Sequence, residues 1–258
     1  MIGKKINSLN HKITQGVRHF SGCFSMTGED ILLCSFPRSG STWFRTVFAN
    51  CLHLKNGHGK QATMVDLESV MPVLGYSKLG SGGADFYKPR LIKTHRLASE
   101  IKPFRPKQVF HLWREPIGVM KSCFRYYSAH RGFKTSDLQS FIRDDKLGMA
   151  AWKKHFVQWQ PVATVSLEYN CMRDDTVGEV SRVLGEMGYD ELLPLVAEAV
   201  EMASLANMKK SEKQGIRNPE RFNEGFASIG GAGSDSVEFS DSDLQYIESM
   251  SSDLPIAG

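Results

Sequence analysis

The stretch from Asp30 to Leu54 constrains the fold more than any other. Asp30-Ile-Leu-Leu-Cys-Ser-Phe36 is a short apolar run, long enough for a buried strand and too short for a helix. The turn Pro37-Arg-Ser-Gly40 follows at once, and a helical pattern then runs from Ser41 to Leu54 with Trp43, Phe44, Val47 and Phe48 among its apolar positions. A strand that ends in a small-residue turn and continues as a helix aims the helix's unpaired N-terminal amides and the positive end of its dipole at one point. That geometry favours an anion. Ser39, Ser41 and Thr42 add hydroxyl donors, and Arg38 adds a permanent charge on a forked donor. The glycine spacing is not that of GxxxxGK[ST], and no Lys-Ser/Thr pair follows, which argues against a kinase or GTPase loop. An ordinary capped strand-to-helix turn remains the alternative for this segment alone.

Further strands are expected at Arg90–His95, Gln108–Trp113 and Ala163–Leu167. Pro116 is suited to the first position of a helix reaching about Ala129, and helical patterns recur at Val177–Met187 and Glu191–Leu205. Strands alternating with helices predict an α/β fold, with a central, mostly parallel sheet flanked by helices and a P-loop-like phosphate turn. The 258 residues suit one domain, assigned to 29–258, behind a basic amphipathic leader at 1–28. The glycine- and serine-rich stretches 75–83 and 225–236 read as loops, either plain connectors or segments that order when ligand binds.

Composition removes several functions. A net charge of +4 is too small and too dispersed for a nucleic-acid binder, and it suits a small anionic ligand better. The five cysteines are scattered, with no CxxC pair, so no metal is expected and a reducing, cytoplasmic setting is the simple reading. No apolar run reaches the ~18 residues of a membrane span, and the N-terminus lacks a signal peptide's apolar core. In the leader, Ile2, Ile6, Leu9, Ile13, Val17 and Phe20 share one helical face, with Lys4, Lys5, Lys12 and Arg18 between them. Such a helix either packs on the domain or lies peripherally on a membrane surface through residues 1–20.

Two more segments carry chemistry. Lys93 and His95 are two apart on an inferred strand, so they project from one face near its carboxyl end, where open α/β sheets bind ligands. Arg114 closes the next strand, and Ser122 lies two turns into the helix that follows. Both reach toward one anionic group, unless Arg114 is simply a surface partner of Glu115.

Together the three segments resemble the PAPS-dependent sulfotransferase family, PAPS being 3′-phosphoadenosine 5′-phosphosulfate. Ser35–Trp43 is similar to that family's PKSGTTW loop, Lys93-Thr-His95 to its KTH element, and Arg114 with Ser122 to its 3′-phosphate element. The likeness extends loosely over residues 30–240. It implies that Arg38 stands where the loop lysine contacts the 5′-phosphosulfate, with Ser39, Gly40, Ser41 and Thr42 around the same group. Trp43 would stack on the adenine, His95 would be the base, and Lys93 would be an electrostatic stabiliser. Arg114 and Ser122 would bind the 3′-phosphate. Tyr169 would lie near the adenine, as would Ser204 and Leu205, where an aromatic is commoner than Leu. The family's C-terminal Arg-Lys-Gly aligns with Ser228-Ile229-Gly230, which keeps the glycine and lacks the arginine. Arg217 or Arg221 would then supply the charge, or the 3′-phosphate would be held more weakly.

The resemblance implies sulfuryl transfer to an acceptor hydroxyl on a glycan, a lipid-linked molecule or a small alcohol or phenol, with PAPS as cosubstrate. His130, Arg131 and Lys134 are positioned to steer an acidic saccharide or to form a solvated loop. The competing classes are a P-loop-like nucleotide kinase, which needs a magnesium carboxylate not evident here, and a non-catalytic nucleotide-binding module.

Overall fold

The structure is a computed structural model that describes residues 16–17, 21–63, 66–77, 79, 87–101, 106–130, 137–214 and 238–256. Most of the leader, most of the 75–83 loop, and Arg131, Lys134, Arg217, Arg221 and Gly230 with its neighbours 225–236 lie outside those residues.

Four parallel strands form one sheet in the order β2-β1-β3-β4: β1 Ile31–Cys34, β2 Leu91–Thr94, β3 Gln108–Trp113 and β4 Val165–Glu168. Ten helices are described: α1 Ser41–Lys55, α2 Asp66–Val70, α3 Pro116–His130, α4 Leu138–Ile142, α5 Met149–Trp159, α6 Tyr169–Asp174, α7 Thr176–Glu186, α8 Val196–Met202, α9 Leu205–Gln214 and α10 Asp241–Ser251. Register places Cys34 opposite both Thr94 and His111, so β1, β2 and β3 rise together and the carboxyl ends of the strands share one edge. The runs are apolar almost throughout because helices cover both faces of a parallel sheet. Ile31, Leu33, Leu91, Phe110 and Leu112 are buried with α1, α7 and α8, whereas Leu32, Cys34 and Ile92 pack with Trp159 of α5 on the other face. Period-2 alternation along each strand sorts the side chains between these two layers.

Short polar contacts set the helix starts. Pro116 opens α3, and the carboxylate of Glu115 accepts from the Gly118 N–H at 2.8 Å. Asp175 caps α7 by accepting from the Gly178 N–H at 2.9 Å. The helical pattern at Glu191–Leu205 is not one helix. Asp190–Leu195 is a 3₁₀ turn containing Pro194, α8 follows, and Leu205 opens α9. Proline removes a donor and collides with the preceding turn, which an apolar period does not register. Ala163 and Thr164 precede β4, which begins at Val165.

The strands are stapled at their entry side. Arg90, just before β2, forms a two-pronged pair with Asp30, just before β1: Nε to Oδ1 is 2.9 Å and Nη2 to Oδ2 is 2.6 Å. Nη2 also donates to the Ser25 carbonyl at 2.7 Å, and Asp30 accepts from the Thr27 N–H at 2.7 Å. Removing one partner of a buried pair leaves the other charge without its match. Asp30→Ala should therefore destabilise the protein by about 3 kcal/mol, read as a melting point lowered by roughly 6–12 °C for a domain of this size.

A second buried feature sets acid stability. His111 of β3 and His155 of α5 are both buried, with ring centroids 5.9 Å apart. Gln160 satisfies His111 Nδ1 at 2.8 Å, whereas His155 Nε2 has no hydrogen-bond partner. Burial lowers the pKa of His111 to about 4 and that of His155 to about 3. The unfolded chain takes up both protons near pH 6.5 and the folded chain does not, so stability is full above about 6.5 and falls as the pH drops toward 4 and 3. By pH 5 the loss should be roughly 2 kcal/mol for each histidine. Denaturant unfolding at pH 7 and pH 5 measures it, and His155→Phe should remove its own share of the difference, about 2 kcal/mol.

Candidate active site

The site is built where all four strands end. β1 runs out at Cys34, and Phe36 to Gly40 form a tight turn before α1 begins. Gly40 has φ +94° and Arg38 φ +70°, both left-handed. Glycine accepts this region freely, whereas Arg38 is held there at a cost of roughly 1–2 kcal/mol. A Cβ on Gly40 would lie 2.5 Å from Cδ2 of Tyr169, so the turn needs glycine for space as well as for φ. The helix cap at Gly40 uses no side chain, which leaves the first-turn amides of α1 facing outward from the sheet edge. Ser39 Oγ is fully buried there and has no hydrogen-bond partner.

α3 lies against this turn. Arg38 Nε donates to Ser122 Oγ at 3.2 Å, and its guanidinium sits over the Tyr126 ring at 4.8 Å. Burial lowers the Arg38 pKa from its ordinary value without removing a guanidinium's charge. The Cys123 thiol, whose pKa burial pushes up to about 12, donates to the Pro37 carbonyl at 3.4 Å and ties the turn to α3.

Arg114 follows β3, and its guanidinium lies over the Tyr169 ring at 4.3 Å. Arg114 Nε is buried without a hydrogen-bond partner. Glu115 approaches only to 3.9 Å, because its carboxylate is engaged at the α3 cap through Gly118. A simple Arg114–Glu115 surface pair therefore does not describe this arginine. Tyr169 opens α6 directly after β4, and its ring meets Trp43 edge-on at 6.2 Å.

β2 stops at Thr94, so the strand ladder does not place His95. Its Nδ1 lies 2.6 Å from the Ser35 carbonyl and 3.4 Å from Ser35 Oγ. A carbonyl only accepts, so Nδ1 carries the proton and Nε2 presents its lone pair. Enclosure by the surrounding protein, reinforced by the Lys93 ammonium, lowers the His95 pKa well below 6.5. His95 nonetheless keeps exposed surface, so partial crowding rather than a sealed core causes the desolvation. Lys93 is 6% exposed and belongs to the sheet face covered by α1.

The structure thus gathers Arg38, Ser39, Gly40, Ser41, Thr42 and Trp43 at the end of β1, Lys93 and His95 at β2, Arg114 and Ser122 at β3 and α3, and Tyr169 at β4. Ser204 and Leu205 are exposed at the start of α9, and among the described residues no hydrogen bond or ring contact joins them to this group. Tyr126, Cys123 and Arg45 were not among the candidate residues read from the sequence. Tyr126 lies one helical turn beyond Ser122, a spacing that puts both on one face. Arg45 lies one turn beyond Ser41, a lone charge on the buried side of α1. Buried groups of three or more His, Cys, Asp or Glu with metal-binding geometry are absent among the described residues.

Residues 28–250 match the sequence profile of the sulfotransferase domain family. Bovine sulfotransferase 1A1 is 23% identical over 205 residues, covering 73% of this chain and 68% of its own length. Cytosolic sulfotransferase 7 of Arabidopsis thaliana is 23% identical over 229 residues, covering 78% and 70%. Among solved structures, mouse sulfotransferase SULT7A1 with PAP superimposes at a TM-score of 0.60 with 18% identity, covering 87% of this chain and 83% of that one. Retinol dehydratase with androsterone and the inactive cofactor PAP gives 0.64 with 15% identity, covering 87% and 80%. These two likenesses concern the fold.

Gly40→Ala should cost about 2 kcal/mol of stability, from the left-handed backbone and the collision with Tyr169. A Gly40→Ala, Tyr169→Ala double variant should recover the part due to the collision, as read by denaturant unfolding.

Proposed function

The chain belongs to the sulfotransferase family, and we propose that it transfers the sulfuryl group of PAPS to an acceptor hydroxyl through His95, Arg38 and Lys93. The enzyme class is that of its family: a PAPS-dependent sulfotransferase. What supports the residue assignment most is a pair of orphaned donors. Ser39 Oγ and Arg114 Nε are both buried without hydrogen-bond partners beside the phosphate turn. A buried donor left unsatisfied costs about 1–3 kcal/mol, and an anion with two separated phosphate groups satisfies both. The donor set fits the nucleotide: hydroxyls and first-turn amides for the 5′ end, Arg114 and Ser122 for the 3′-phosphate, and Trp43 with Tyr169 as an aromatic surface for the base.

When bound, PAPS supplies an electrophilic sulfur and a bisphosphate leaving group, in a loose, in-line transfer akin to phosphoryl transfer. His95 acts at Nε2. The Ser35 carbonyl holds the Nδ1 proton in place, and the depressed pKa keeps the ring neutral at pH 7, ready to take the acceptor's proton. Arg38 and Lys93 place fixed positive charge beside the phosphate turn, where negative charge grows on the leaving oxygen. Arg38 keeps the charge of the family's lysine, and its contact with Ser122 links the 5′ and 3′ regions of the site. The acceptor is a hydroxyl compound. The solved retinol dehydratase complexes hold retinol or androsterone, and an acceptor screen of small alcohols, phenols and glycans reads which class this chain accepts. No described helix is long and apolar enough to cross a membrane.

Calorimetric titration with 3′-phosphoadenosine 5′-phosphate should show binding at least about tenfold tighter than AMP, or 1.4 kcal/mol. Arg114→Ala should abolish most of that preference. Equal affinity for the two nucleotides would mean that no 3′-phosphate site exists. His95→Ala should lower kcat by about 10²–10⁴-fold while leaving bisphosphate affinity nearly unchanged, and normal turnover in that variant would reject His95 as the base.

A further inference from the structure

Arg45 is buried at 3% exposure on α1. Its Nη2 donates to the Leu67 carbonyl at 2.7 Å and to the Met71 carbonyl at 2.8 Å, at the C-terminal end of α2. The chain leaves α2 directly into Pro72, Val73 and Leu74, which border β2 on its outer side. The Lys93 N–H donates to the Pro72 carbonyl at 2.8 Å, and the Leu74 N–H donates to the Lys93 carbonyl at 2.8 Å. Val73 stands in a single parallel bridge opposite Lys93.

Lys93 is therefore held from two sides of unequal strength. On one side Leu33 of β1 pairs with it inside the sheet. On the other lies a segment with one bridge, following a helix of five residues that is too short to be stable by itself. A forked guanidinium that binds two carbonyls four residues apart is well suited to anchor such a segment, and its charge complements the carbonyl end of the helix.

We propose that Arg45 is a positioning residue for the transfer: it clamps Met71–Leu74 onto the outer edge of β2 and so fixes Lys93 and, through the end of that strand, His95. This rests on the assignment of Lys93 and His95 to the reaction. Electrostatics agree with the geometry. Besides its enclosure, His95 feels Lys93 from β2, His155 from α5 and Arg45 from α1, all of which lower its pKa, against the Ser35 carbonyl, which raises it.

The test uses the full chain with saturating 3′-phosphoadenosine 5′-phosphate, comparing wild type, Arg45→Met and Arg45→Lys by NMR. His95 is assigned by the resonance lost in His95→Gln. In Arg45→Met, amide exchange at Lys93 and Leu74 should be at least about tenfold faster while Leu33 and Phe110 exchange as in wild type, a local opening of the edge. The His95 titration midpoint should rise, since a nearby positive charge has been removed. Arg45→Lys should keep the wild-type midpoint and show intermediate exchange, and it carries the test if Arg45→Met does not fold. Unchanged exchange at Lys93 and Leu74, or a uniform rise at every sheet amide, would overturn the inference, because the first removes the clamp and the second makes Arg45 a general core residue. Failure of the wild type to bind the bisphosphate would instead reject the nucleotide assignment on which the inference rests.

Discussion

Everything in the site depends on how β1 gives way to α1. A central parallel strand is buried on both faces, and within six residues its backbone must become a helix on the α1 side of the sheet. Only a left-handed turn does this in the space that Tyr169 leaves, which is why Gly40 is glycine and why Arg38 accepts an unfavourable φ. The same turn points the open end of α1 across the carboxyl ends of the other strands. Each of the other strands then adds one element as it ends: His95 after β2, Arg114 after β3 and Tyr169 after β4.

The electrostatics are one-sided, and the capping contacts make them so. Glu115 is the acid nearest Arg114, yet its carboxylate is directed at the Gly118 amide, so the arginine keeps a buried Nε donor without a hydrogen-bond partner. Enclosure, reinforced by Lys93 buried beside it, keeps the His95 imidazole neutral instead of protonated. An environment poor in acids disfavours protonation of a histidine and favours binding of an anion, so one arrangement serves both the base and the nucleotide. The entry-side pair of Asp30 and Arg90 shows the opposite use of charge. There, two-pronged pairing satisfies both partners and leaves nothing for a ligand.

Much of this was legible in the chain because local patterns carried it. The run Ile31–Cys34 and the Gln108–Trp113 segment announce buried strands by continuous hydrophobicity, and Pro116 marks a helix start by its own geometry. Other elements were not legible for equally physical reasons. Pro194 splits a pattern whose apolar period continues through it. α5 was not among the helices expected from the sequence, although Trp152, Phe156 and Trp159 bury on one side of it. Arg45 reads in sequence as one basic residue among many. Its importance lies in two carbonyls more than twenty residues away.

By itself, the sequence determined the alternation of strands and helices, the anion-seeking turn at Arg38–Thr42, and the residue types available at Lys93, His95, Arg114 and Ser122. These follow from periodicity, from the backbone freedom of glycine, and from side-chain chemistry, all of which are properties of neighbouring residues. The tertiary structure decided which of those groups meet. It brought Arg38 to Ser122 across 84 residues and placed Tyr169 against both Trp43 and Arg114. It also set which nitrogen of His95 is free and which donors have no hydrogen-bond partner. Those outcomes depend on strand order and register, and the order β2-β1-β3-β4 is set by packing between segments far apart in the chain.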